Sequence, residues 1–309
     1  MFTVFSGRYG RPKSVYLAGE SAGALVAASA LEGAKVGNVI GALTMCGPLA
    51  GTNNWEGALD LRLAYDAVCA EAAGAEIPGG AKGLPAGHGL APVDIAAAVD
   101  FCTGLAKDKP KRTAAEKRRL GDLLAVTGLS EGGLQDAMRL ATFGLVDLVR
   151  DSKKLKGKIP VGNVGVDYGS PGLNASITRV TQESKAENQL ADASELSGKI
   201  DGAKVLSVHT SKDPVFFVEN EREYADLVPE ESLLLGIVKE PMATHCGFSE
   251  VEELAAWRVL TAWAEGGSKP KAKSLKKRCV KLRREAPGAC RFDNRPKIDP
   301  LDTRVRPRP

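Results

Sequence analysis

Val15-Tyr16-Leu17-Ala18-Gly19-Glu20-Ser21-Ala22-Gly23 decides how this chain folds. Residues 15–18 are a short apolar run before a glycine and read as a buried strand. Residues 21–31 follow at once, small side chains interrupted by Leu25, Val26 and Leu31. That composition suits a helix packed closely on a sheet. A second apolar run, residues 39–45, ends at Cys46-Gly47-Pro48. Strand, turn, helix and strand in succession imply parallel pairing and an α/β sheet.

The turn at the centre of this unit fits Gly-x-Ser-x-Gly. A serine on a sharp strand-to-helix turn needs a strained backbone, which lifts its Oγ clear of the sheet. Side chains two residues before or after it are expected to clash with the neighbouring strand or helix, so glycine is expected at Gly19 and Gly23. Ser21 then sits at a helix N-terminus, where the helix dipole favours developing negative charge. The N–H of Ala22 is placed to donate to an oxyanion. The competing reading is a tight turn whose serine is incidental.

Outward from this unit the composition changes. Residues 55–72 are helical in pattern, with Leu59, Leu63, Tyr65 and Val68 recurring at helical spacing. A Gly/Pro-rich loop spans 74–92, and further helices are expected over 93–105, 114–127 and 130–149. The charge run 107–119 reads as a solvated face. With no strand signal here, the stretch reads as a mostly helical cap inserted into the sheet. The α/β pattern then returns with a strand at 203–209, a helix at 218–227 and a strand at 232–238. A final amphipathic helix at 250–264 aligns Leu254, Trp257, Leu260 and Trp263. The expected organisation is 1–52 and 201–267 as two parts of one α/β core, 53–200 as the cap, and 268–309 as a basic, flexible tail.

With the elbow, its helix and the later strands in place, the chain resembles the α/β-hydrolase superfamily. Gly-Glu-Ser-Ala-Gly is the form of the elbow seen in many carboxylesterases. The resemblance implies a chain order of serine, acid and histidine. His209-Thr-Ser-Lys-Asp-Pro-Val215 resembles the family's acid turn, and Ala243-Thr-His-Cys-Gly-Phe248 resembles its histidine loop. The implied triad is Ser21, Asp213 and His245, acting on a small-molecule ester through an acyl-enzyme. The resemblance spans residues 15–264 and is specific at these three places. It implies an α/β-hydrolase-like, mostly parallel sheet with a helical cap and with the N-terminal part of the sheet missing. Only residues 1–14 precede the first strand, and the family's second oxyanion donor comes from a loop upstream of the elbow. The expectation is a missing N-terminal segment or a partner chain, and weak activity of this chain alone. The alternative is a non-catalytic relic or scaffold of the same fold.

Among rival acids, Asp201 precedes its strand and Asp226 lies within the next helix, whereas Asp213 follows the carboxyl end of its strand. His209 reads as a packing or supporting residue, and His88 as a surface residue or a contact from cap to site. Asn53, Asn54 and Trp55 follow the second strand and are candidates to line a substrate pocket. Cys246 adjoins His245 and reads as packed or disulfide-bonded, Cys46 being one candidate partner. Cys279 with Cys290 is the plausible local pair, and no close CxxC pair suggests zinc. No metal set or dinucleotide loop is present, so no metal or cofactor is expected.

The chain carries a net charge of +4, but residues 268–309 hold 15 Lys or Arg against 4 Asp or Glu, leaving the body at −7. Lys269-Pro-Lys-Ala-Lys and Lys276-Lys277-Arg278 supply charge for phosphates. Phe292 is the tail's only aromatic, so a stacking surface is lacking and nucleic acid is a poor candidate partner. No apolar run approaches a membrane span, and residues 1–6 lack signal-peptide features. The chain as written is expected in the cytoplasm, and export is the expectation if the true start lies upstream.

Overall fold

Parallel strands order the molecule, and the chain enters and leaves them through helices. In sequence the elements are α1 (Phe2–Tyr9), β1 (Val15–Glu20), α2 (Ala22–Glu32), β2 (Val39–Met45), α3 (Asn53–Val68), α4 (Pro92–Thr103), α5 (Ala114–Thr127), α6 (Leu134–Arg139), α7 (Pro171–Ser176), α8 (Ser184–Ser194), β3 (Lys204–Thr210), α9 (Asn220–Leu227), β4 (Leu233–Val238), α10 (Glu250–Ala264) and α11 (Ala272–Leu282). The structure is a computed structural model that describes residues 2–33 and 37–309. The chain divides into two units: Met1–Ala50 with Leu196–Pro300, and Gly51–Glu195 with Leu301–Pro309.

In the first unit the strand order is β1-β2-β3-β4, every pair parallel. Side chains alternate across the sheet, as strand geometry requires. Ala42, Val205 and Leu233 face one layer with Ala28 and Leu31 of α2 and Tyr224 of α9. Leu43, Leu206 and Leu234 face the other, with Val259, Leu260 and Trp263 of α10 and Leu275 and Cys279 of α11. Each fully buried large apolar side chain contributes about 1.5–3 kcal/mol, so these two layers hold the sheet. The run 15–18, read as a buried strand, is not fully buried: every residue of β1 is half-buried or exposed. The reason is its edge position, paired with β2 alone among the described residues.

The basic tail differs most from the expectation of a flexible extension. Residues 272–282 form α11, whose Leu275, Cys279 and Leu282 are buried at helical spacing. Cys279 is bonded to Cys290. Beyond it, Phe292 is 2% exposed and bridges Val238 in antiparallel fashion. Lys239 N–H donates to the Arg291 carbonyl at 3.1 Å, and Asp293 N–H to the Ile237 carbonyl at 2.7 Å. The segment therefore satisfies the outer edge of β4, which would otherwise present unpaired backbone groups. Apolar residues spaced four and three apart inside a run of lysines carried this signal.

The second unit is helical, without strands among its described residues. A disulfide between Cys69 and Cys102 ties the end of α3 to α4. Two of its features depart from the sequence reading. The expected helix over 130–149 is broken into a 3-10 turn, the short α6 and two π-helical turns reaching Arg150. The run 107–119 is not simply a solvated face: Arg112 is buried, donating to the carbonyls of Gly104 (3.0 Å) and Leu105 (3.1 Å) and to Glu131 (3.0 Å). Gly104 and Leu105 are the cap of α4 and the residue after it, so this guanidinium satisfies carbonyls of the turn by which the chain leaves that helix. Asp60 is buried as well, accepting from Tyr168 Oη at 2.7 Å and Arg308 Nη1 at 2.7 Å. No described helix of either unit is long and apolar enough to cross a membrane.

Candidate active site

The carboxyl ends of the four parallel strands place the candidate residues of the first unit side by side. Ser21 N–H donates to the Met45 carbonyl (2.9 Å), Cys46 N–H to that of Val208 (2.8 Å) and Ser211 N–H to that of Val238 (2.9 Å). The residue just past each of β1, β2 and β3 thus still bonds to the neighbouring strand before the chain turns. Ser21 leaves β1, Cys46 leaves β2, Asp213 follows β3 and His245 follows β4. Open α/β sheets form their sites at this edge.

Ser21 has φ 56° and ψ −131°, a region that non-glycine residues rarely occupy. Gly19 permits it: a Cβ there would lie 1.9 Å from the Gly23 carbonyl oxygen. Gly23 does not share this constraint. A Cβ on Gly23 would meet nothing within 4 Å, so the expected clash after the serine is absent. The turn is closed by Gly19, two residues before Ser21, and by the backbone of Gly23 after it. Ala22 opens α2, and the N–H groups of a helix's first residues have no intrahelical acceptor.

His245 Nε2 lies 2.8 Å from Ser21 Oγ, and its Nδ1 lies 2.9 and 3.0 Å from the two oxygens of Asp213. Asp213 is 4% exposed. Its Oδ1 also accepts from the N–H groups of Val215 (2.9 Å) and Phe216 (3.1 Å), and its Oδ2 from Cys246 N–H (3.1 Å). The carboxylate is held from several sides by donors and presents itself to the imidazole in one orientation. The Phe216 ring meets the imidazole edge-on at 5.6 Å between centroids. The rivals are elsewhere: Asp201 lies exposed before β3 and Asp226 is exposed on α9.

The histidine loop is braced along its length. Cys246 is bonded to Cys46. Thr244 Oγ1 donates to Glu240 Oε1 at 2.7 Å, and Arg291 Nη2 to the Gly247 carbonyl at 2.7 Å. Burial holds the Glu240 carboxyl above the usual carboxylate range, against the hydrogen bond from Thr244. Cys46, Asp213, His245 and Cys246 bring ligand atoms within 4.8 Å of one another. Both sulfurs are spent in the disulfide, so His245 and Asp213 alone remain as donors, fewer than a structural metal needs.

His209 is fully buried beneath the site. Its Nε2 lies 2.7 Å from the Phe216 carbonyl and its Nδ1 3.0 Å from Glu221 Oε1. A carbonyl only accepts, so Nε2 carries a proton, and a second proton joins Nδ1 to Glu221. Burial works against the charged ring, yet the Glu221 carboxylate, with Asp213 at 3.9 Å, raises its pKa above the ordinary histidine value. Glu221 and Glu240 lie near the site in sequence but in no recognisable motif, and Arg291 meets it from 44 residues beyond Gly247.

Asn53, Asn54 and Trp55 belong to the second unit, at the first turn of α3. Asn54 Nδ2 donates to the Gly51 carbonyl at 3.2 Å, and Trp55 packs beside Gly144. His88, also in that unit, accepts from Leu90 N–H at 2.8 Å through Nδ1.

No protein-family model matches the sequence, and no curated protein matches it significantly. Among solved structures, the chain is similar to feruloyl esterase B from Aspergillus oryzae, with 13% identity and a TM-score of 0.47 over 87% of this chain. It is also similar to an acetylester hydrolase from Corynebacterium glutamicum, with 14% identity and a TM-score of 0.34 over 90% of this chain. The chain spans 64% of the length of each of these two structures. By its own parallel sheet and flanking helices the fold is α/β-hydrolase-like.

Proposed function

We propose that the chain is a serine hydrolase of carboxylic esters, with Ser21 as nucleophile, His245 as general base and acid, and Asp213 as the group that orients His245. The observation that carries this reading is the continuous line from Ser21 Oγ to His245 Nε2 at 2.8 Å and from His245 Nδ1 to Asp213 at 2.9 Å. Neutral His245 takes the Ser21 proton as Oγ attacks the ester carbonyl. Asp213 fixes the tautomer with Nδ1–H and stabilises the imidazolium that forms. The N–H of Ala22 donates to the developing oxyanion at the start of α2. His245 returns the proton to the leaving alcohol, and water then releases the acyl group by the same route. The Gly-Glu-Ser-Ala-Gly form, like that of many carboxylesterases, favours esters over amides.

A fluorophosphonate probe tests the assignment on the full chain. Labelling at Ser21 that disappears in Ser21→Ala, with turnover of a p-nitrophenyl ester, is the expected result. A folded protein whose Ser21 resists the probe is a non-catalytic member of this fold, and the proposal fails.

A further inference from the structure

The helix α11 carries a basic stripe that the ester chemistry leaves unused. Its sequence contains no acidic residue. Leu275, Cys279 and Leu282 face the core, which turns Lys273, Lys276, Lys277, Val280 and Lys281 outward at spacings of three, four, seven and eight. These five residues line a groove of about 1020 Å³ together with Asp293, Asn294 and Arg295. A smaller cavity of about 380 Å³ shares Lys277 and Lys281 and adds Arg278.

The cations of the groove are uncompensated. Among the described residues, Lys273, Lys276, Lys277, Lys281 and Arg295 make no ion pair, whereas Asp293 is already engaged by Lys239 at 2.9 Å and by the Arg295 N–H at 3.1 Å. Like charges three and four residues apart destabilise a helix. The stripe is held in register by buried contacts and by the Cys279–Cys290 disulfide rather than by its own surface. A rigid row of about 12 Å of positive charge, at 1.5 Å per helical residue, fits a linear polyanion.

We infer that this groove binds a linear acidic polysaccharide. Three observations favour that partner over other polyanions. All six cysteines are paired, and disulfides persist in oxidising surroundings, where carboxylated and sulfated polysaccharides are the common polyanions. No aromatic side chain lines the groove, so nucleic-acid bases have nothing to stack on. Val280 is the one apolar residue of the lining, too little for insertion into a lipid surface. The inference does not depend on the role of Ser21.

The test measures binding of the full chain to polygalacturonate (carboxylated), heparin (sulfated), duplex DNA and anionic phospholipid vesicles at matched ionic strength. If all five cations engage, affinity for the preferred polysaccharide falls about 100-fold between about 50 and about 200 mM salt, and only about 7-fold in the triple variant Lys276→Gln/Lys277→Gln/Lys281→Gln. The variant's thermal unfolding midpoint stays at the wild-type value, which reports that it is folded whether or not Ser21 is catalytic. Preference for polygalacturonate or for heparin identifies the anionic group. Tighter binding to DNA or to vesicles, binding to none of the four, or an unchanged salt dependence in the variant overturns the inference.

Discussion

Removing the three disulfides one at a time should destabilise the protein in a fixed order. Cys46–Cys246 closes a separation of 200 residues, Cys69–Cys102 one of 33 and Cys279–Cys290 one of 11. Loop-closure entropy grows with the logarithm of loop length, which gives contributions of about 5, about 3.7 and about 2.8 kcal/mol respectively at 25 °C. Because Cys69–Cys102 lies inside the longest loop, it shortens that loop in the unfolded chain, but a logarithm changes little for such a fraction. The perturbation is the paired replacement of both cysteines by alanine, so that no thiol is stranded. The assay is urea unfolding of each variant with the other two bridges intact, followed by a shared thermal melt. The Cys46→Ala/Cys246→Ala variant should show the largest loss, with a Tm lower by about 10–20 °C at about 2–4 °C per kcal/mol. It should also lose ester turnover by about 10- to about 100-fold, because His245 adjoins Cys246 and loses a tether of its loop. Equal losses for the three variants, or a larger loss for Cys279–Cys290, would refute chain entropy as the source of their stabilisation. Full turnover without the Cys46–Cys246 bridge would refute its role in holding His245.

Other perturbations follow from the same geometry. Asp213→Asn should leave the fold intact and lower kcat on a p-nitrophenyl ester by about 10⁴, since an amide does not hold the tautomer that a carboxylate holds; wild-type turnover would remove Asp213 from the mechanism. Gly19→Ala should cost about 3 kcal/mol in unfolding measurements, the upper end for overpacking, its methyl meeting the Gly23 carbonyl. Gly23→Ala, pointing into open space inside a helix, should instead stabilise by up to about 1 kcal/mol; losses of equal size in the two variants would contradict the turn described above. The raised pKa of His209 implies a contribution to stability that is complete below its unfolded value, about 6.5, and declines as pH rises through its folded value. The stability difference between wild type and Glu221→Gln should therefore shrink as pH is raised, and a pH-independent difference in urea midpoints would exclude the coupling.

The parts of this molecule that could be read from its residues are those fixed by near neighbours. The β1–α2 turn is written in consecutive residues, so Gly19 and Ser21 were legible. Asp213 and His245 were legible because each follows a strand with an apolar run of its own and because the resemblance supplied their order. Gly23 shows the limit of that reading: the motif calls for glycine, while the space around it would take a methyl. The ordered tail was missed because lysines dominated its composition, although Leu275, Cys279 and Leu282 carried its helical face. Arg112 and Asp60 were missed for another reason. Their partners are backbone carbonyls or lie as far off as Arg308, and no local pattern predicts that a charge will be buried.

The contact between Arg308 and Asp60 bears on how the protein is made. A ribosome delivers Asp60 early and Arg308 some 248 residues later. Through that interval a carboxylate destined for the interior lacks its counter-charge, and β1 and β2 likewise wait for β3 to emerge. Neither unit can finish folding in the order in which it is synthesised. The nascent chain must therefore be kept from aggregating until residues beyond 300 appear, and production of the protein will respond to chaperone supply and to anything fused close behind Arg308.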